Sequence, residues 1–147
     1  TCELAMGYHR VVITLGVVIL SGALFWMRTL QGNKDQVRIG TCTFTLERPR
    51  TTAQYAKGLS GRDAIATAEG MWFVFDPPQL PTFWMKGMRF SIDIVWIVNN
   101  KVVGLNENVL ADDGQALFQP PEAVDAVLEI AAGRSRECDI SKDVPVL

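Results

Sequence analysis

Along this chain the apolar positions change rhythm once, and sharply. Residues 11–27 run without a single charge, bounded by Arg10 and Arg28. Beyond a short polar stretch, the apolar positions alternate with period two or gather in brief runs cut by turn residues. Val37 and Ile39, then Phe44 and Leu46, flank Gly40-Thr41, the pattern of a tight hairpin. Thr51 and Thr52 offer caps for a short helix through Lys57, which Gly58 stops. Residues 70–75 read as a strand ended by Asp76-Pro77-Pro78. Residues 92–98 are almost continuously apolar, which predicts a strand buried on both faces. Asn99-Asn100 turns that strand back through Leu105. After a polar loop at 111–121, residues 124–130 give another strand, 133–138 a short helix and 144–147 a last strand. Short strands with turn signals and no long crossover helix predict a mainly β fold. The expected architecture is an antiparallel β sandwich or a partly open barrel with one or two short helices, preceded by one transmembrane helix.

The uncharged run fixes the expected organisation. As a helix it would reach about 25 Å, close to a hydrocarbon core of roughly 30 Å once Leu30 is included and Arg28 snorkels. Phe25 and Trp26 sit near one end, where interfacial aromatics are favoured. A membrane anchor and a cleaved signal peptide with Ser21-Gly22-Ala23 as its small-residue site both fit. A buried helix of the domain fits less well, because no polar face would meet water. The expected division is a flank at 1–10, a transmembrane anchor or signal segment at 11–30, a linker at 31–35 and a β domain at 36–147. The membrane is thus an expected partner through residues 11–30, with the C-terminal domain outside the cytoplasm. Positive charges on the two sides nearly balance, so orientation rests on the export reading. The chain opens with Thr1 rather than Met, which leaves its true start open.

Composition removes several function classes. The 147 residues carry a formal charge of −2 and no Lys/Arg run, so no nucleic acid is expected as a partner. His9 is the only histidine and precedes the apolar run, so histidine-dependent acid–base, triad or metal chemistry has no residue in the domain. Of three cysteines, Cys42 and Cys138 lie in the domain, without CxxC or CxxH spacing. They are either a disulfide closing a long loop or two buried thiols. No cofactor and no metal is expected.

Chemistry concentrates between Phe83 and Ile97. Asp93 sits inside the most apolar strand, where a carboxylate costs several kcal/mol unless something compensates it. Strand parity puts Asp93 with Val95 and Ile97, and puts Glu129 with Val127 and Asp125. Arg62, Lys86 and Arg89 stand near turns as candidate countercharges. Either these groups form ordinary ion pairs at the barrel mouth, or they line one cleft.

The motif series Gly58-Leu59-Ser60-Gly61-Arg62, Gly70-Met71-Trp72-Phe73-Val74-Phe75, Phe83-Trp84-Met85-Lys86, Ile92-Asp93, Val127-Leu128-Glu129 and Ala132-Gly133 resembles the domain of unknown function 192 family (DUF192). The resemblance covers roughly residues 36–147 in order. It implies a mainly β fold of sandwich type, often exported or anchored, and brings no known reaction. The family usually carries Pro where Ser91 stands and Asn where Ala131 stands, and the loop at 112–119 is short here.

The resulting expectation is a non-catalytic ligand-binding or interaction module at the cell envelope, with no enzyme activity assigned. Its ligand-binding surface would join Arg62, Trp84, Lys86, Asp93 and Glu129. Trp84, with Phe83 and Met85, would supply a stacking wall for a polar small molecule with an apolar face, such as a sugar. The alternative is a carboxylate-dependent hydrolase of envelope saccharides, with Asp93 and Glu129 as acid and base. A Cu(I) site at Trp84, Met85 and Met88 is a weaker option, and an envelope protein could be the partner instead.

Overall fold

The structure, a computed structural model, describes residues 35–111 and 114–147. The expected flank, anchor or signal segment and all but the last residue of the linker lie outside the described residues. Among the described residues, no helix is long and apolar enough to cross a membrane.

Among the described residues, eight strands and two short helices follow one another as β1 (Gln36–Ile39), β2 (Cys42–Glu47), α1 (Thr52–Lys57), β3 (Glu69–Gln79), β4 (Phe83–Trp84), β5 (Ile92–Val98), β6 (Lys101–Val109), β7 (Leu117–Phe118), β8 (Val124–Ala131) and α2 (Arg134–Glu137). Six of the strands form one curled sheet in the order β1-β2-β3-β8-β5-β6, and β4 pairs with β7 separately. The β2–β3 pair is parallel, where an antiparallel sheet was expected. Parallel neighbours need a crossover, and α1 with the loop after it supplies one. The C-terminal residues tie the two sheet edges: Val146 bridges Ile39 of β1, and Pro145 bridges Lys101 of β6. That pairing covers backbone groups an open edge would leave exposed.

The near-continuous apolar run of β5 behaves as predicted, buried on both faces between β8 and β6. One face packs Val95 and Ile97 with Phe44, Leu128 and Ile130. The other packs Ile92, Ile94 and Trp96 with Phe73, Met85 and Val127. Hence Asp93 and Glu129, which follow these two parities, lie on opposite faces of the sheet.

Local signals explain the turns. Gly40 has φ +60°, and a Cβ there would stand 2.0 Å from the carbonyl oxygen of Cys138, so no side chain fits. Asn99 and Asn100 adopt φ of 49° and 59°, as a two-residue turn matched to strand twist requires. Two strands run longer than the sequence suggests. β3 continues through Pro77 and Pro78 to Gln79, with its pairing to β8 shifted between Val74 and Gln79. β6 extends through Asn106-Glu107-Asn108, and Asn106 Oδ1 accepts from the indole Nε1–H of buried Trp96 at 2.9 Å.

Of the two readings for the domain cysteines, the disulfide is the one formed: Cys42 of β2 joins Cys138 at the end of α2, 96 residues apart. Closing a loop of that length restricts the unfolded chain, and removing such a bond from a small domain costs about 2–5 kcal/mol. Reduction, or the Cys138→Ser variant, is therefore expected to lower Tm by roughly 4–8 °C per kcal/mol lost. Denaturant melts with and without reductant check this; coincident midpoints would show that the bond does not constrain the fold.

Candidate functional site

α1 is only six residues long and is held by its ends. Thr51 Oγ1 accepts from the Gln54 amide while the Gln54 side chain accepts from the Thr51 amide, a reciprocal capping box. Gly58, at φ +50°, ends the helix and donates its N–H to Gln54 O at 2.9 Å. Tyr55 fixes α1 against the sheet. Its hydroxyl donates to Val74 O at 3.0 Å and accepts from Val74 N–H, and its ring packs edge-on against Phe73 and Phe75. The loop after α1 is tied in turn to the segment after β4, through Ser60 Oγ donating to Lys86 O and Gly61 N–H donating to Gly87 O.

Between these elements lies a cleft of about 240 Å³. Tyr55, Phe73, Phe75, Phe83 and Trp84 form its walls, and Glu129 lies within its lining. The rings stand edge to face, with Phe73 and Phe83 centroids 5.0 Å apart, which makes the wall stiff. Trp84 is 42 % exposed at the mouth.

Glu129 is the exceptional polar group. It sits on β8 opposite Met71 of β3 and Ile94 of β5, and is 5 % exposed. Its Oε2 has no hydrogen-bond partner among the described residues and lies under Gly58, 3.5 Å from where a Cβ would be. Burial pushes its carboxyl up to about 8, against a smaller downward pull from the Arg62 charge. At neutral pH it is therefore mostly a neutral acid, able to donate as well as accept.

The other predicted site residues are placed differently. Arg62 is half-buried and clamped by Glu47, with Nη1 and Nη2 at 2.7 and 2.6 Å from the two carboxylate oxygens. That hydrogen-bonded pair holds Glu47 below, and Arg62 above, their ordinary values. Lys86 is exposed and outside the cleft lining. Met85 is fully buried in the core, so it is no part of a stacking wall.

Asp93 is the clearest correction. It is fully buried, and among the described residues neither an ion pair nor the cleft compensates it. Oδ1 accepts from the amides of Asn108 (2.8 Å) and Gly133 (3.1 Å), while Oδ2 accepts from the amide of Ser135 (2.8 Å) and from its hydroxyl. Asp93 ties the end of β6 to the start of α2. It cannot act with Glu129 as an acid–base pair, because two such carboxylates must flank one bond and these lie on opposite faces of the sheet. The cleft instead adds Tyr55, Phe73 and Phe75, which sequence reasoning did not assign. The available signal was parity: Phe73 and Phe75 share a face of β3, and Tyr55 is the only aromatic in α1.

Comparison with known proteins agrees with this fold. The family model DUF192, described as Uncharacterized ACR, matches residues 35–146. A crystal structure of a protein of unknown function from Novosphingobium aromaticivorans DSM 12444 aligns with a TM-score of 0.71 at 29 % identity, covering 76 % of this chain and 83 % of that one. A provisionally assigned transcription regulator from Sinorhizobium meliloti 1021 aligns with a TM-score of 0.71 at 25 % identity, covering 76 % and 91 %. No curated protein matches the chain.

Proposed function

The chain belongs to the DUF192 family, which brings a fold and no reaction, and from the cleft itself we propose that it is a non-catalytic binding module. Its ligand is a small polar molecule with an apolar face, held between the aromatic walls with Glu129 as the polar anchor and Trp84 as the outer wall. One observation carries this reading: a buried carboxyl, with an oxygen that has no partner among the described residues, lines a cleft walled by five aromatic rings. Buried polar side chains are nearly always hydrogen-bonded, so one left open beside a cleft suits a partner brought by a ligand. Arg62 acts on the site at a distance, through its charge, and Lys86 contributes at most to the approach.

The domain is proposed to work outside the cytoplasm. A disulfide favours an oxidising compartment, and the uncharged run at 11–27 would serve as anchor or export signal. Exposed Leu80, Trp84 and Leu117 favour a second reading, in which a protein of the envelope rests on this apolar rim.

A panel of envelope saccharides and small amphiphiles tests the first reading. At least one is expected to shift Trp emission saturably and to raise Tm, since Trp84 is at the cleft mouth. Trp84→Ala should weaken that compound tenfold or more by calorimetry, at a smaller stability cost than truncating a fully buried tryptophan, because the side chain is partly exposed at the mouth. A panel with no binder, or a binder indifferent to Trp84→Ala, would remove the cleft as the functional surface.

A further inference from the structure

The cleft also indicates the charge of its ligand, an inference that rests on the binding reading above. We propose that it selects an organic ammonium: a primary amine on an apolar body, with the ammonium donating to Glu129 and the body lying between Tyr55, Phe75, Phe83 and Trp84. Three observations converge. The acceptor oxygen Oε2 of Glu129 is buried and has no donor among the described residues, so the site lacks a hydrogen-bond donor of the kind an ammonium supplies. The surrounding walls are aromatic, and ring faces attract cations. Arg62, whose charge acts on Glu129, is already matched by Glu47 through two short hydrogen bonds, so it leaves the Glu129 carboxylate to the ligand.

The charged and titratable groups around Glu129 are few. Arg62 reaches it from the loop after α1, and Lys57 stands on the cleft rim at the end of α1. Tyr55 of α1 has its hydroxyl committed to Val74. β3 presents Phe73, β4 presents Phe83 and Trp84, and β5 presents Ile94, none of which titrates near neutrality. Glu69 of β3 acts on Arg62. On β8, the Asp125 carboxylate accepts from the Asn99 amide. An arriving ammonium would favour ionised Glu129, and the carboxyl proton would leave to solvent. Binding and deprotonation are therefore one coupled step.

Benzylamine, cationic at neutral pH, and neutral benzyl alcohol of the same shape are suitable probes for the full domain. Calorimetry and Trp emission should show benzylamine binding about tenfold more tightly per pH unit from 6 toward 8, levelling above it, as the ionised fraction of Glu129 grows. Titrations in two buffers of different ionisation enthalpy should report close to one proton released per amine at pH 6.5. Glu129→Gln should flatten the pH dependence and weaken the amine at pH 8 at least tenfold. Benzyl alcohol binding as tightly as the amine at pH 8, or an amine affinity independent of pH, would overturn the proposal and leave the cleft reading standing. Neither probe binding, together with an empty saccharide panel, would overturn both.

Discussion

Asp93→Ala is expected to bring the domain close to unfolding, with a loss of about 4–6 kcal/mol. Three backbone amides and the Ser135 hydroxyl converge on this buried carboxylate. Truncation leaves those donors without an acceptor, at about 1–3 kcal/mol each before relaxation. Domains of this kind are stable by only about 5–15 kcal/mol in total. The damage should be local first, because the side chain joins the end of β6 to the turn into α2, where Asn108 and Gly133 hold positive φ. Urea denaturation followed by circular dichroism measures the total loss, and amide exchange at Asn108, Gly133 and Ser135 localises it. Asp93→Asn keeps one acceptor oxygen but turns an NH2 group toward other donors, so it should lose less, about 2–3 kcal/mol. An Asp93→Ala midpoint within 1 kcal/mol of the parent would show that the cage does not hold the fold.

The same residue marks where sequence reading stopped. A carboxylate inside the apolar run of β5 announces a compensating group, and that much was legible. Its partners are main-chain amides 15 to 42 positions away, and a main-chain N–H leaves no mark in side-chain identity. Hairpin turns were readable because Gly40 and the Asn99-Asn100 pair meet local φ demands. The capping of α1 was readable for the same reason, since its partners lie within one turn. The long-range pairings were not. β4 meets β7 through two residues only, Phe83 opposite Phe118 and Trp84 opposite Leu117. β3 carries its prolines across a shift in its register with β8 between Val74 and Gln79, a long-range feature. For the site, parity placed Glu129 correctly beside Val127. It could not place Tyr55 opposite, because that depends on how α1 lies across β3. Arg62 was expected as a countercharge to the site; its charge does act on Glu129, while its guanidinium is hydrogen-bonded to Glu47 of β2, a partner the sequence did not indicate.

Glu129→Gln should reverse the usual penalty of changing a buried charged residue: at pH 8.5 the variant is expected to be more stable than the parent. The parent's carboxyl moves from an ordinary 4.5 to about 8 in the fold. Below the unfolded value the group is neutral in both states and its stabilising contribution is complete. Between the two values the folded protein holds a proton that the unfolded chain has released, so stability falls steadily as pH rises. Above about 8 both states are ionised, and the buried charge has removed on the order of 5 kcal/mol. Glutamine has nearly the same shape and never ionises, so it skips this loss. Glu47 and Asp143 run the other way, since Arg62 and Lys101 lower them and their contributions fade on acidification. Subtracting the variant's stability curve from the parent's cancels those terms. The difference should be near zero at pH 4.5 and grow in the variant's favour to a plateau above pH 8, read from denaturant midpoints at closely spaced pH. A flat difference across that window would mean that Glu129 is solvated or paired in the folded protein, and the cleft would lose its polar anchor. A sloping one would establish a buried acid that resists ionisation until a cation arrives, the condition on which a proton-coupled amine site depends.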